Sequence, residues 1–597
     1  MEHNMILSAS GWRKVFAVSG NQNDADFEIG KNNTALCVLA AEAFALYVKN
    51  QSKKRNPLIA VGTDTRPTGK TMAQVIVRTL IYYNIKVQYL GISAAPEIMA
   101  YSKKTDGFLY ISASHNPIGH NGLKFGLGDG GVLEGGQAKI LADSFREKCA
   151  AENAQSHAEE ILNAVSEKYF YKLLRKSEKF KAKALGVYSS FMKEIVTGSP
   201  KEKNQKLIFD LIKTSLEKNP VALVCDMNGS ARCKSIDSNF FTQANLEFIP
   251  FNDTPGNIVH EIIPEPENLV YCAEKINMLQ SKGKKDAVLG YMPDCDGDRG
   301  NIVYWSRKNN KAQIIPAQEI FALSVLSQLT FECWKNNGKV KNLAVAVNCP
   351  TSMRIDEICS KLDAQVFRSE VGEANVVNLG KEKRSLNFKV PVLGEGSNGG
   401  NITFPSAVRD PVASVFAIIK LLTLRDVLTK KGQLKKGLFH IWCEKCGVPY
   451  SQDFTLDDII ATLPEYVTTG VSEKRAVLKV KTSDKGKLKL RFEKIFLQEY
   501  RERKDELEQK YGICSWECCT TNGTKEIKNA SDWNNGNGGL KVIFYGKDKT
   551  PQAFMWMRPS GTENVFRIMC DVKGNRPQME ESLLQWETSM ITKADAL

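Results

Sequence analysis

The chain alternates between short, largely apolar runs and longer segments of mixed polarity, and the apolar runs fall into three sets. Residues 58–62, 221–225 and 343–347 open the sets. Residues 87–91, 246–250 and 364–368 come second, and residues 107–111, 287–291 and 390–394 close them. Unalternating apolar runs of this length suit strands buried on both faces of a parallel sheet, and the stretches between them suit helices. The repeat predicts three similar α/β domains. In each set the third run leads directly into a polar loop. Ligands on open α/β sheets gather at the carboxyl ends of strands, so the pattern predicts domains facing one central cleft.

The last portion reads differently. Residues 522–539 are polar and rich in Gly and Asn, which predicts a loop, while 553–557 and 565–570 read as strands flanking a turn at Arg558. We expect a smaller α+β domain that closes over the cleft. The expected division is 1–205, 206–320, 321–445 and 446–597. Within it, 131–204 reads as a Lys- and Glu-rich helical embellishment, and 472–540 carries no recognisable motif.

Bulk properties narrow the function. A chain of 597 residues is too long for one core, and 42% hydrophobic with 25% charged residues is ordinary for a folded protein. The net charge of +14 favours anionic partners, but Lys and Arg are scattered, which points to a phosphorylated small molecule and away from nucleic acid. The most apolar stretch, 412–424, is short and carries Lys420, so it predicts a core helix and no membrane partner. Fifteen cysteines without a signal-like start read as reduced cytoplasmic thiols. Cys443 and Cys446 have zinc-ligand spacing, although buried thiols are the preferred reading. Six histidines argue against an all-histidine metal site.

The loops carry the chemistry. Ile111-Ser112-Ala113-Ser114-His115-Asn116-Pro117 ends a strand and exposes a hydroxyl at Ser114. Neighbours on an extended chain point oppositely, so His115 is not expected to form a simple dyad with it. Lys124 follows closely and would steer phosphate, or move a proton if its pKa were depressed. Asp294, Asp296 and Asp298 alternate with Cys295 and Gly297; clustered carboxylates repel unless a cation lies among them. An EF-hand needs Gly at position six and Glu at position twelve, where this chain has Arg299 and Trp305, so magnesium is favoured over calcium. Glu395 and Ser397 lie in a Gly-rich turn suited to sugar hydroxyls. Arg558, Ser560, Gly561 and Thr562 form a donor set suited to phosphate, with Arg567 adding charge.

These loops, in this order, resemble the alpha-D-phosphohexomutase family over nearly the whole chain. The resemblance implies three similar α/β domains around a central cleft plus a C-terminal TBP-like α+β domain. It implies an enzyme that interconverts hexose 1-phosphate and hexose 6-phosphate, glucose or mannose, through phosphoserine and a hexose 1,6-bisphosphate that also serves as activator. Ser114 would carry the phosphoryl group and supply a metal ligand through it, with Mg²⁺ held by Asp294, Asp296 and Asp298. Lys124 would be the general acid/base and His115 would lie near the transferred phosphate. Glu395 and Ser397 would read the sugar, and Arg558, Ser560, Gly561 and Thr562 the phosphate that stays. Arg13, Arg299 and Arg409 fall near cleft-lining positions. Glu373 stands where several members carry His, Lys or Trp, and would meet a hydroxyl or an amine. The protein would act as a monomer or dimer. The rival readings are a metal-dependent sugar phosphatase and a non-catalytic sugar-phosphate sensor.

Overall fold

A computed structural model describes residues 4–428, 432–560 and 565–597. The chain forms two compact units, Met1–Ile315 with Ile402–Leu424, and Pro316–Asn401 with Arg425–Leu597.

The first unit begins with β1 (Ile6–Ser8), β2 (Gly11–Val15), β3 (Leu58–Thr63), β4 (Lys86–Ile92), β5 (Gly107–Ile111) and β6 (His120–Leu127). They form one sheet in the order β1-β2-β6-β5-β3-β4. β3 runs parallel to β4 and β5, and β6 returns antiparallel to β5. β5 is buried along its whole length, as its unalternating apolar sequence requires. The Gly30–Ser52 helix is buried without a break from Ala35 to Ala45, which marks a central helix rather than an amphipathic surface one.

A second sheet holds β7 (Ala222–Asp226), β8 (Glu247–Phe251), β9 (Ala287–Pro293), β10 (Gly300–Ser306) and β11 (Lys311–Ile314), in the order β11-β10-β9-β7-β8. β7 is parallel to β8 and β9. The predicted embellishment is helical, over Gly135–Ala150, Ala154–Ala164, Lys168–Leu174 and Ser177–Thr197. Nearly all of the apolar 412–424 stretch falls in a helix, Pro411–Thr423, that belongs to this unit and is buried except at Leu422, with Lys420 included. Among the described residues no helix is long and apolar enough to cross a membrane.

The second unit contains the third set of strands, β12 (Leu343–Asn348), β13 (Gln365–Ser369) and β14 (Lys389–Gly394), with β12 parallel to both others. Its C-terminal part is an α+β layer. Strands Tyr466–Thr468, Val565–Lys573, Pro551–Pro559, Gly539–Tyr545, Ser515–Asn522 and Lys525–Lys528 follow one another across an antiparallel sheet, and Val477–Lys479 also pairs with Val565–Lys573. Helices Lys485–Glu502 and Pro577–Ala596 pack on it around Phe492, Phe496, Trp533 and Leu583. Residues 522–539 are only partly the expected loop, because Lys525–Lys528 is a strand paired with Ser515–Asn522. Gly523, at φ +57°, turns the hairpin, a position where a glycine costs little.

Candidate active site

Ser114 follows β5 and adopts φ +54°, the left-handed region that costs a non-glycine residue about 1–2 kcal/mol. Arg66 holds the loop in that shape. Its Nη2 donates to Ser114 O at 2.9 Å, its Nε to His120 O at 2.9 Å, and Nη2 also reaches Asn116 O. Asp64 fixes Arg66 in turn, at 3.0 Å from Nη1, and both side chains are fully buried. Ser112 Oγ accepts the Ser114 N–H at 2.9 Å. The result is a fixed hydroxyl: Ser114 Oγ donates to Asp294 Oδ2 at 2.7 Å.

The three aspartates lie on the turn from β9 to β10. Gly297, at φ +69°, permits the turn, and its backbone is gripped from outside by Ala95 N on Asp296 O at 2.8 Å and Ala231 N on Cys295 O at 2.9 Å. Lys124 reaches in from β6, donating to Asp296 Oδ2 at 2.7 Å and Asp298 Oδ2 at 3.0 Å. Ser112 Oγ also donates to Asp296 Oδ2, at 3.0 Å, and Arg409 Nη2 to Asp298 Oδ1 at 3.4 Å. Burial, then the charges of Asp296 and Asp298, push the Asp294 carboxyl well above the usual carboxylate range. Burial opposes the charge on Asp298 too, but Lys124, Arg409 and Arg299 outweigh it and hold that carboxyl low. For Lys124, burial opposes the charge while Asp296 and Asp298 outweigh it, so the ammonium is stabilised rather than depressed. The expected acid/base residue is therefore held here in its acid form.

The triplet fits a hard divalent cation. One carboxylate oxygen from each of Asp294, Asp296 and Asp298 lies within 4.8 Å of the others, and all three are buried. Asp296 Oδ1 is buried and has no hydrogen-bond partner among the described residues. An all-oxygen donor set without sulfur or imidazole suits Mg²⁺ better than zinc.

Positive charge converges beside the hydroxyl. Arg299, then burial, then Arg13 drive the His115 imidazole down to about 2, so it is neutral. The Arg13 guanidinium is itself lowered, first by burial and then by Arg299. Buried Nε atoms of Arg13 and Arg299 and Nδ1 of His115 have no partner among the described residues. Such a set suits an anion with several acceptor oxygens, as a phosphoryl group has.

The second unit holds the remaining expected residues in two places joined by one loop. Glu395 follows β14 and accepts from Asn348 Nδ2 at 3.0 Å and Gly372 N at 2.8 Å; Ser397 lies buried in the next turn, and Glu373 starts the Glu373–Ser385 helix. Arg558 ends the Pro551–Pro559 strand with its Nε 3.0 Å from Glu370 Oε1. Ser560 N donates to Val565 O at 2.8 Å, while Arg567 pairs across from Arg558 and donates to Val471 O at 3.1 Å. Gly561 and Thr562 lie outside the described residues. The Glu370 carboxylate also accepts from Thr521 Oγ1 at 2.8 Å and from Gly539 N, so it ties the Arg558 strand to the 472–540 segment.

Sequence reading missed Arg66, Asp64, Ser112 and Glu370. Asp64-Thr65-Arg66 sits just past the end of β3, the position at which every other chemical loop was found, and that was the available signal.

A family description, phosphoglucomutase/phosphomannomutase alpha/beta/alpha domain I, matches residues 13–151, and the corresponding domain III description matches residues 325–438. A phosphoglucosamine mutase of Nautilia profundicola is 26% identical over 381 residues, covering 63% of this chain and 72% of that protein. One from a Sulfurovum species is 24% identical over 425 residues, covering 70% and 81%. Among solved structures, the phosphoglucomutase parafusin of Paramecium superposes with a TM-score of 0.60 at 14% identity, over 99% of this chain and 95% of that one. A phosphoglucomutase/phosphomannomutase family protein of Burkholderia thailandensis gives 0.57 at 15% identity, over 99% and 97%. At such identities the superpositions speak to the fold.

Proposed function

The chain belongs to the alpha-D-phosphohexomutase family, and from that premise we propose that it is a phosphosugar mutase using Ser114 as a phosphoryl carrier. The observation that supports this most is the Ser114 hydroxyl, 2.7 Å from Asp294 inside a buried carboxylate triplet and beside the charges of Arg13, Arg299 and Arg409. The substrate is a hexose 1-phosphate, glucose or mannose, converted to the 6-phosphate through a hexose 1,6-bisphosphate that also primes the enzyme.

Phosphoserine transfers its phosphoryl group to the free sugar hydroxyl; the O–P bond at Ser114 breaks as the bond to the sugar oxygen forms. Lys124, held as an ammonium, donates a proton to the departing Ser114 Oγ, and the sugar hydroxyl supplies the compensating proton. The returning step reverses these roles at the other phosphate. Arg13, Arg299 and neutral His115 offer donors to the phosphoryl oxygens, so orientation and charge do most of the work. Mg²⁺ held by Asp294, Asp296 and Asp298 would offset charge on the transferring group. Glu395, Ser397 and Glu373 read the sugar, and Arg558 with Ser560, Gly561, Thr562 and Arg567 binds the phosphate that stays.

A second sugar has its own support. The curated relatives named above are phosphoglucosamine mutases, and the carboxylates Glu395 and Glu373 flank one loop, a chemistry that suits a substrate ammonium.

The test is ³¹P NMR of the purified protein with Mg²⁺ and a trace of glucose 1,6-bisphosphate. Glucose, mannose and glucosamine 1-phosphates are supplied separately, beside Ser114→Ala. A 1-phosphate signal replaced by a 6-phosphate signal, and lost in the variant, supports the mutase and ranks its sugars. Release of free phosphate would favour the phosphatase instead. No change with any sugar would leave the sensor.

A further inference from the structure

Behind the aspartate turn lies a second buried cluster that the proposed chemistry does not use. Arg232, on the short turn Ala231–Lys234, is 1% exposed. Its Nε donates to Asp237 at 2.9 Å. Its Nη1 faces three acceptors: Tyr188 Oη at 3.1 Å, Asp410 Oδ1 at 3.3 Å and the Gly297 carbonyl at 3.4 Å. Tyr188 Oη donates to the other Asp410 oxygen at 2.5 Å, and Tyr291 donates to Asp237. Tyr188, Asp237 and Asp410 are all buried.

One of these contacts ends in the aspartate turn and another on the neighbour of Arg409. Gly297 separates Asp296 from Asp298, and a Cβ placed there would lie 2.4 Å from Arg232 Cδ, so Arg232 packs directly against the turn. Asp410 follows Arg409, the residue that pairs with Asp298, and its Oδ1 caps the Pro411–Thr423 helix through Val412 N at 3.0 Å. Tyr188 comes from the Ser177–Thr197 helix of the 131–204 embellishment.

We infer that Arg232 is a positioning residue for the cation-binding turn, and that the helical embellishment completes its support through Tyr188. Arg232 holds the Gly297 carbonyl and the Asp410 carboxylate at once, which sets the spacing of Asp296 and Asp298. A planar fork can serve those directions together; an ammonium cannot. The inference rests on the reading of Asp294, Asp296 and Asp298 as a cation site, and it gives the embellishment a role that neither its sequence nor its fold alone suggests.

The test is Mn²⁺ binding to the full chain, followed by electron paramagnetic resonance without substrate, alongside thermal unfolding. Arg232→Lys should raise the Mn²⁺ dissociation constant about tenfold, as loss of outer-shell support does elsewhere. Tyr188→Phe, which removes one hydroxyl, should raise it about threefold. Tyr101→Phe removes a comparable hydroxyl, bonded to Gln88 at 2.7 Å and away from the turn, and should lower Tm while leaving Mn²⁺ affinity at the wild-type value. If Tyr188→Phe and Arg232→Lys lower Tm but bind Mn²⁺ as tightly as wild type, Arg232 is merely structural and the inference is overturned. If Arg232→Lys does not fold, Tyr188→Phe decides alone. A wild-type protein that binds no Mn²⁺, or an Asp296→Asn variant that binds it equally well, brings down the cation-site reading itself and this inference with it.

Discussion

The region around Ser114 and the region around Arg558 treat charge in opposite ways. In the first, Ser114, Lys124 and the three aspartates are each less than 5% exposed, and bonds among themselves and to Arg66, Ser112 and Arg409 fix most of their polar atoms. In the second, the Arg558 side chain is 32% exposed and rests on a single carboxylate, and Arg567 is open to solvent. Bond-making chemistry needs groups held to fractions of an ångström before substrate arrives. Recognition of a phosphate at a chain end tolerates a looser, wetter arrangement in which the ligand completes the order. Damage to the first region should therefore appear in kcat, and damage to the second in KM.

The largest effect is expected from Asp296→Asn, which removes one of three charges and should lower kcat about 10³-fold, read by ³¹P turnover under saturating sugar phosphate. Retained activity would show the triplet to be structural. Arg66→Met comes next. It frees the Ser114 loop and leaves Asp64 buried without its partner, so kcat should fall about 10²-fold and Tm should drop as well. A rise in KM alone would contradict the rigid-site half of the contrast. Arg558→Lys keeps the charge but loses the planar fork; KM should rise about tenfold with kcat within a factor of about two. A kcat loss equal to the KM change would erase the distinction between the two regions.

The smallest effect concerns pH. Lys489, on the Lys485–Glu502 helix, donates to Gly536 O at 2.8 Å and to Asn535 Oδ1 and Gly538 O at 2.5 Å, all neutral acceptors. Burial pulls its ammonium down to about 7. Between about 7 and the ordinary lysine value the unfolded chain binds the extra proton, so stability contributed by this group rises with pH across that window. Lys489→Met should flatten the wild-type rise in Tm between pH 7 and 9 by about 2 °C, measured by scanning calorimetry. An unchanged slope would place the lysine outside the linkage.

Much of this layout was legible in residue order, and the reason is local. Parallel strands buried on both faces must be continuously apolar, so residues 58–62, 107–111 and 343–347 announce themselves, and the candidate loops begin where each set ends. The Arg66, Arg232 and Glu370 contacts were not legible because their partners are distant: 48 positions from Arg66 to Ser114, 178 from Arg232 to Asp410, 169 from Glu370 to Gly539. Nothing in the spacing of a lone arginine distinguishes a solvated one from a buried one. The 472–540 segment was opaque for the same reason, since Thr521 and Gly539 gain meaning only against Glu370. The Lys525–Lys528 strand is a different case: Asn522-Gly523 was a hairpin signal in plain view, outweighed by the Gly/Asn-rich composition that follows it.

The membership of Ile402–Leu424 in the first unit bears on how the gene can be cut. A message truncated after codon 315 encodes both sheets of that unit but not the Pro411–Thr423 helix, whose Val412, Val415, Phe416, Ile418 and Ile419 are all buried. The product would leave that apolar slot open and would fall to aggregation or to chaperones. It would also lack Arg409 and Asp410, and with them the far side of the Asp298 pair. A piece that keeps the unit whole is a splice, residues 1–315 joined by a flexible linker to 402–424, or the same two fragments made together and left to find each other.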